Sequence, residues 1–149
     1  MMTTTYPSPE LLYRALGATL AVAEAFPSSA LENRPAPDMM TVAEIIDHLA
    51  FNLEYVIEPI AAWLSLPKAS TSANGPIDRL QQANARVRDV LDKVPHEDWL
   101  TDIVYPDNHT MSVVRAALVM LEHDAHHRGQ LVVVLRALGI EPPKRWADS

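Results

Sequence analysis

No cysteine occurs among the 149 residues. That absence excludes disulfides, thiolate-held zinc and a cysteine nucleophile, although it leaves the compartment open. Only 4 glycines are present, few for the turn-rich chain of a sandwich or barrel, and β-branched alternation is nearly missing as well. Positive charge is scarce: 12 Lys and Arg against 19 Asp and Glu leave a net charge of -7. With no basic face interleaved with aromatics to follow a phosphate backbone, nucleic acid is not an expected partner. No apolar run approaches the roughly 20 residues that cross a bilayer, so no membrane span is expected. The opening residues carry neither the basic nor the apolar part of an export signal, which makes the cytoplasm the expected location. Asn108-His109-Thr110 has only the form of a glycosylation acceptor, because nothing points to secretion.

What the chain does have is apolar side chains at helical spacing. Hydrophobic residues make up 48% of it, enough for one core, so a single domain over residues 1–149 is expected. Ser8 as N-cap and Pro9 at the first helical position open helix 1, which should run to Phe26 with Leu11, Leu12, Ala15, Leu16, Leu20 and Ala23 inward. Pro27 stops it, and Pro35 and Pro37 keep the following stretch irregular. Thr41 and Glu44 form a capping box ahead of helix 2, which should reach Leu66 with a kink or break at Pro59. Pro76 opens helix 3, which ends near Val94. After an irregular stretch from Pro95 to His109, Thr110 caps helix 4 and Gly139 closes it. Four helices imply an all-α four-helix bundle. All three connections are long enough to cross a bundle end to end at about 3.3 Å per extended residue, so at least one crossover is expected rather than a plain up-down-up-down path.

Histidine is where the pattern turns chemical. Three of the 6 histidines fall in His123-Asp124-Ala125-His126-His127. At about 100° per residue His123 and His127 stand within about 40° of each other, on a line that also passes through Ala116, Met120, Gln130, Val134 and Leu138. A lone His on an apolar face is usually a core residue with one hydrogen-bond partner. Two at i,i+4 need two partners or one shared cation, and His48 lies at the inward face of helix 2. Imidazole suits zinc, nickel, copper or iron(II), and three protein ligands leave coordination positions open. The Glu-x-x-His pairs of di-iron bundles and the His-Glu-x-x-His of zinc proteases are both missing. A site of two histidines and one carboxylate, from Asp124 or Glu44, is the minor alternative. His96 and His109 fall in loops and read as surface residues.

On His48 after a capped helix start, on His123-x-x-His126-His127-Arg128-Gly129-Gln130 and on the ending Leu135-Arg136-Ala137-Leu138-Gly139-Ile140-Glu141-Pro142-Pro143, the chain resembles the DinB/YfiT-like family of metalloenzymes along essentially its whole length. The resemblance implies a four-helix bundle with crossover topology and a divalent transition metal on His48, His123 and His127. It also implies a small-molecule substrate, in some relatives a low-molecular-weight thiol as co-substrate, and a homodimer. The expected function is therefore a metal-dependent transferase or hydrolase that activates a small thiol or water. The alternative is a non-catalytic metal-binding or small-ligand-binding bundle in a stress response.

The neighbours of the histidines have two readings each. Gln130 and Asn52 either orient a ligand or merely satisfy buried polar groups. Tyr55, on the His48 face, reads as core before it reads as a catalytic hydroxyl. Asp47 and Asp124, each about 100° from its histidine, read as surface charges rather than imidazole partners. His126 and Arg128 read as packing, dimer-surface or ion-pair residues, and Gly129 as a point of close helix approach. Trp63, Trp99 and Trp146 read as core or rim.

Overall fold

A computed structural model describes residues 8–70 and 72–144; Trp146 lies outside them. Four helices carry the fold: α1 (Glu10–Glu24), α2 (Val42–Trp63), α3 (Pro76–Leu91) and α4 (Val113–Ala137). The polar starts work as the sequence predicts. The Ser8 hydroxyl accepts the Glu10 N–H at 3.2 Å, although Pro9 rather than Ser8 takes the N-cap position. Both halves of the Thr41–Glu44 capping box are made. α2 runs unbroken through Pro59 and ends at Trp63, three residues short of the expected Leu66, where Ser65 turns to φ 59°. At the end of α4, Gly139 adopts φ 73°, and the Gly139 and Ile140 N–H groups return to the Arg136 and Leu135 carbonyls, the double closure that a left-handed residue permits.

The path between helices is not up-down-up-down. Arg79, near the start of α3, pairs with Asp47 and Glu54, while Arg86 pairs with Glu58 further along α2. Both numberings rise together, so α2 and α3 run parallel, and residues 64–75 must travel back along the bundle. Tyr13 bonds to Asp92, and Leu16 to Asn84, so α1 opposes α3. α4 starts beside Trp99, whose carbonyl accepts the Val114 N–H, and runs back to the level of His48. The order is up, down, down, up. α1 packs on α3 and α4, as does α2, which places α1 and α2 on a diagonal. The crossover expected from connection length is the one after α2.

The core is aliphatic. Ile45, Ile46, Leu49, Ile57, Ile60, Leu80, Leu91, Met120, Leu131 and Leu135 are buried. Three expectations fail here. Leu11 is half exposed, because α1 turns Leu12, Leu16 and Val22 inward instead. The stretch before α4 is not wholly irregular: β1 (Asp102–Val104) and β2 (Thr110–Ser112) form an antiparallel hairpin, and Ser112 rather than Thr110 caps α4. Strands this short offer too little alternation to register in a sequence. The hairpin is pinned to α2 by the buried Tyr105, whose hydroxyl donates to the Val56 carbonyl at 2.9 Å. Lastly, Gly129 marks no close approach within this chain, since a Cβ there would meet nothing within 4 Å. Trp99 is buried, whereas Trp63 is 39% exposed.

Candidate metal centre

Burial of Ile45, Ile46, Leu49 and Leu53 sets the rotation of α2, and that rotation carries His48 to its α4 side. Across from it, His123 and His127 rise from adjacent turns of α4. The three rings form a near-equilateral triangle, with centroids 4.8, 4.8 and 4.5 Å apart. One nitrogen of each lies within 4.8 Å of the others. His48 Nε2 and His123 Nε2 are 3.0 Å apart. Two imidazole lone pairs at that separation repel unless a proton or a cation lies between them. Two metal–nitrogen bonds of about 2.1 Å meeting at about 90–110° span roughly 3.0–3.4 Å, so His48 and His123 already stand at the spacing that two ligands of one ion require.

The protonation pattern suits ligation. His127 Nδ1–H donates to Gln130 Oε1 at 2.6 Å, which fixes the tautomer and leaves Nε2 free for the site. Burial pushes the His123 pKa down to about 4, and the imidazoles of His127 and His48 push the same way. Burial also lowers His127, against the pull of Gln130. These rings are neutral at pH 7, as ligands must be. Gln130 meets the His127 ring nitrogen, a contact that fits both of its readings. Asn52, one turn beyond His48, keeps a buried Oδ1 with no hydrogen-bond partner, an acceptor left for a donor outside the described chain.

Neither carboxylate of the minor alternative reaches the site. Glu44 is held by its own capping box. Asp124 is not a surface charge: it is 2% exposed. Its Oδ2 accepts from the Thr19 hydroxyl at 2.7 Å and from Arg128 Nη1 at 2.9 Å. Arg128 also donates to the Ala15 carbonyl, so the pair bolts α4 to α1. Burial pushes the Asp124 pKa up to about 6 while Thr19 and Arg128 hold it down, and it remains charged at neutral pH. The buried stripe of α4 runs through Ala116, Met120, Asp124, His127, Leu131 and Val134. It passes through Asp124 and puts His123 on its flank. The i,i+4 spacing of Asp124 and Arg128 hinted at this pair; Thr19, on another helix, gave no such hint.

The remaining residues fall where expected or nearby. Asp47 is a surface charge paired with Arg79. His126 is exposed, its ring edge-on to His127 at 4.8 Å. His96 and His109 are exposed. Tyr55 is half-buried in a run of rings from Phe51 to Tyr105. No other histidine or carboxylate joins the triangle among the described residues.

Solved structures share this architecture. The DinB-like protein YjoA of Bacillus subtilis superposes with a TM-score of 0.74 at 17% identity, over 91% of this chain and 95% of its own. YfiT of the same organism is described as a probable metal-dependent hydrolase with an unusual four-helix bundle topology. It matches at 0.66 and 17% identity, over 95% of both chains. A DinB-like protein of Bacillus cereus matches at 0.67 and 18%, over 92% of this chain and 94% of its own. At these identities the likeness speaks for the fold. No curated protein matches the sequence significantly. Residues 11–131 match the DinB superfamily, and with most of its length inside that match the chain belongs to the DinB superfamily.

Proposed function

We propose that this protein is a metal-dependent enzyme whose His48, His123 and His127 hold one divalent transition-metal ion, and that it acts as a hydrolase on a small molecule. The observation that carries the reading is the convergence of three imidazoles, one of them held in its ligating tautomer by Gln130. Bound there, a dication on neutral ligands keeps its full charge and lowers the pKa of a water or small thiol. The protein's part is to place the nitrogens, to keep those of His123 and His127 unprotonated by burial, and to leave one side without a fourth ligand. Asn52 Oδ1 offers an acceptor for a donor of the substrate or of a water. YfiT's description supports water as the nucleophile; a low-molecular-weight thiol is the alternative within the same chemistry. We also infer a homodimer in the cytoplasm. Leu118 and Val133 stand more than half exposed on α4, and no described helix is long and apolar enough to cross a membrane.

The test is to strip the protein with chelator and reload it separately with zinc, nickel, iron(II) and manganese. Ester, amide and halide substrates are then screened with and without glutathione. Hydrolysis that needs the ion and disappears in His48→Ala supports the reading, and turnover only with thiol selects the alternative. If elemental analysis and titration find no stoichiometric divalent binding, the proposal fails.

A further inference from the structure

We propose that the substrate of this centre carries a flat apolar group, and that Phe51 and Tyr55 are the surface on which it lies; the proposal rests on the metal reading above. His48, Phe51 and Tyr55 follow at i, i+3 and i+7 on α2, so the two aromatic rings occupy the turns directly after the ligand, on its solvent side. Phe51 leaves 55% of its surface open to water, an unusual placement for a large apolar ring one turn from a polar centre. It is also held in place. Its ring lies 6.3 Å from that of Tyr55 at an interplanar angle of 25°. Tyr55 in turn leans on Tyr105 at 6.0 Å, and Tyr105 stacks with His109 at 4.8 Å and 11°.

The base of this ladder is rigid, because Tyr105 is 1% exposed and hydrogen-bonded to α2. Its top is open: Tyr55 covers one side of Phe51, and more than half of the Phe51 surface still faces water. A preformed aromatic face with one free side accepts a planar partner at little ordering cost. Asn52 stands about 40° round α2 from His48 on the side away from Phe51, and carries its unpartnered Oδ1. A substrate whose flat end lies on Phe51 has its other end toward the turn that carries His48 and Asn52.

The experiment loads the full chain with Co²⁺ and follows its visible absorption during titration with acetohydroxamate and with benzohydroxamate, which differ in the ring alone. The ratio of the two affinities is compared between the parent protein, Phe51→Ala and Phe51→Trp. Removing one aromatic stacking partner predicts a fall of about three- to tenfold in the benzohydroxamate preference of Phe51→Ala, with Phe51→Trp keeping or raising it. Tyr55→Leu, one ring further down, should lower it by less. An unchanged ratio in Phe51→Ala overturns the proposal, and the same ratio with a dimer turned monomer assigns Phe51 to an interface between copies instead. Failure of Co²⁺ to bind at all overturns the metal reading, and this proposal with it; normal Co²⁺ spectra with an unchanged ratio overturn only the proposal.

Discussion

Arg128→Leu removes the cation from a carboxylate that water barely reaches. Asp124 is 2% exposed and depends on Arg128 Nη1 at 2.9 Å and on the Thr19 hydroxyl at 2.7 Å. Leucine keeps much of the arginine stem's packing, so the loss is mainly electrostatic. Breaking a buried pair on one side costs about 3–5 kcal/mol. At about 2–4 °C per kcal/mol for a chain of this size, Tm should fall by roughly 6–20 °C. Burial raises the Asp124 pKa above its unfolded value even with Arg128 present, and without Arg128 it rises further. A carboxyl with a raised folded pKa is stabilising below its unfolded pKa and loses that stability as pH rises through the folded one. The Arg128→Leu penalty should therefore shrink between pH 7 and pH 5. Removing both charges with Asp124→Leu and Arg128→Leu should recover most of the loss. Urea and thermal unfolding of the metal-free protein, followed by circular dichroism, give the numbers. A loss under about 1 kcal/mol, as for an exposed pair, or a double variant no more stable than the single, would refute the reasoning.

Four further outcomes follow. Gln130→Leu frees His127 from its tautomer lock and should weaken divalent-metal affinity by about 10- to 100-fold in a competition titration, whereas His126→Ala should leave it within about twofold, as expected for a residue outside the triangle. Because His123 stays neutral to about pH 4 in the fold but takes a proton near 6.5 when unfolded, the unfolded state binds more protons in that window. Metal-free stability should drop as pH falls through it. Comparison with His123→Ala isolates the effect from the opposing uptake by Asp124, and identical pH slopes would contradict it. Gly129→Ala should stabilise the chain by about 0.5–1 kcal/mol, since the site is helical and open; a weakened dimer in light scattering would show instead that a second copy covers that face.

Much of the fold is readable from the residues because it is local. Capping box, helix count and the shared face of His123 and His127 all follow from offsets of three and four. The lengths of the three connections announce a crossover, but only the pairing of Arg79 and Arg86 with α2 shows which one and in which direction. The histidine line on α4 shares Ala116, Met120, His127 and Val134 with the buried stripe and misses it by one residue at His123 and Gln130, where Asp124 and Leu131 are buried instead. Apolar arithmetic treats a charged residue as surface, and Asp124 occupies a core position only because Arg128 and Thr19 compensate it there. The hairpin is illegible for a different reason: its strands have too few residues to show a period, and Tyr105 holds them through a bond spanning 49 residues of sequence.

The separation of His48 from His123 by 75 residues also orders events during synthesis. His48 emerges early, and its own helix forms from local interactions, yet its partners belong to the last of the described helices. α1, α2 and α3 together supply one imidazole of the three, which is no better than any exposed histidine at competing for a cation. A nascent chain made from its N-terminus thus passes most of its synthesis without the triangle, and any ion the three histidines hold would have to bind after the bundle has closed. Long-range closure of this kind is slow compared with helix formation, so the triangle is among the last features of the bundle to form.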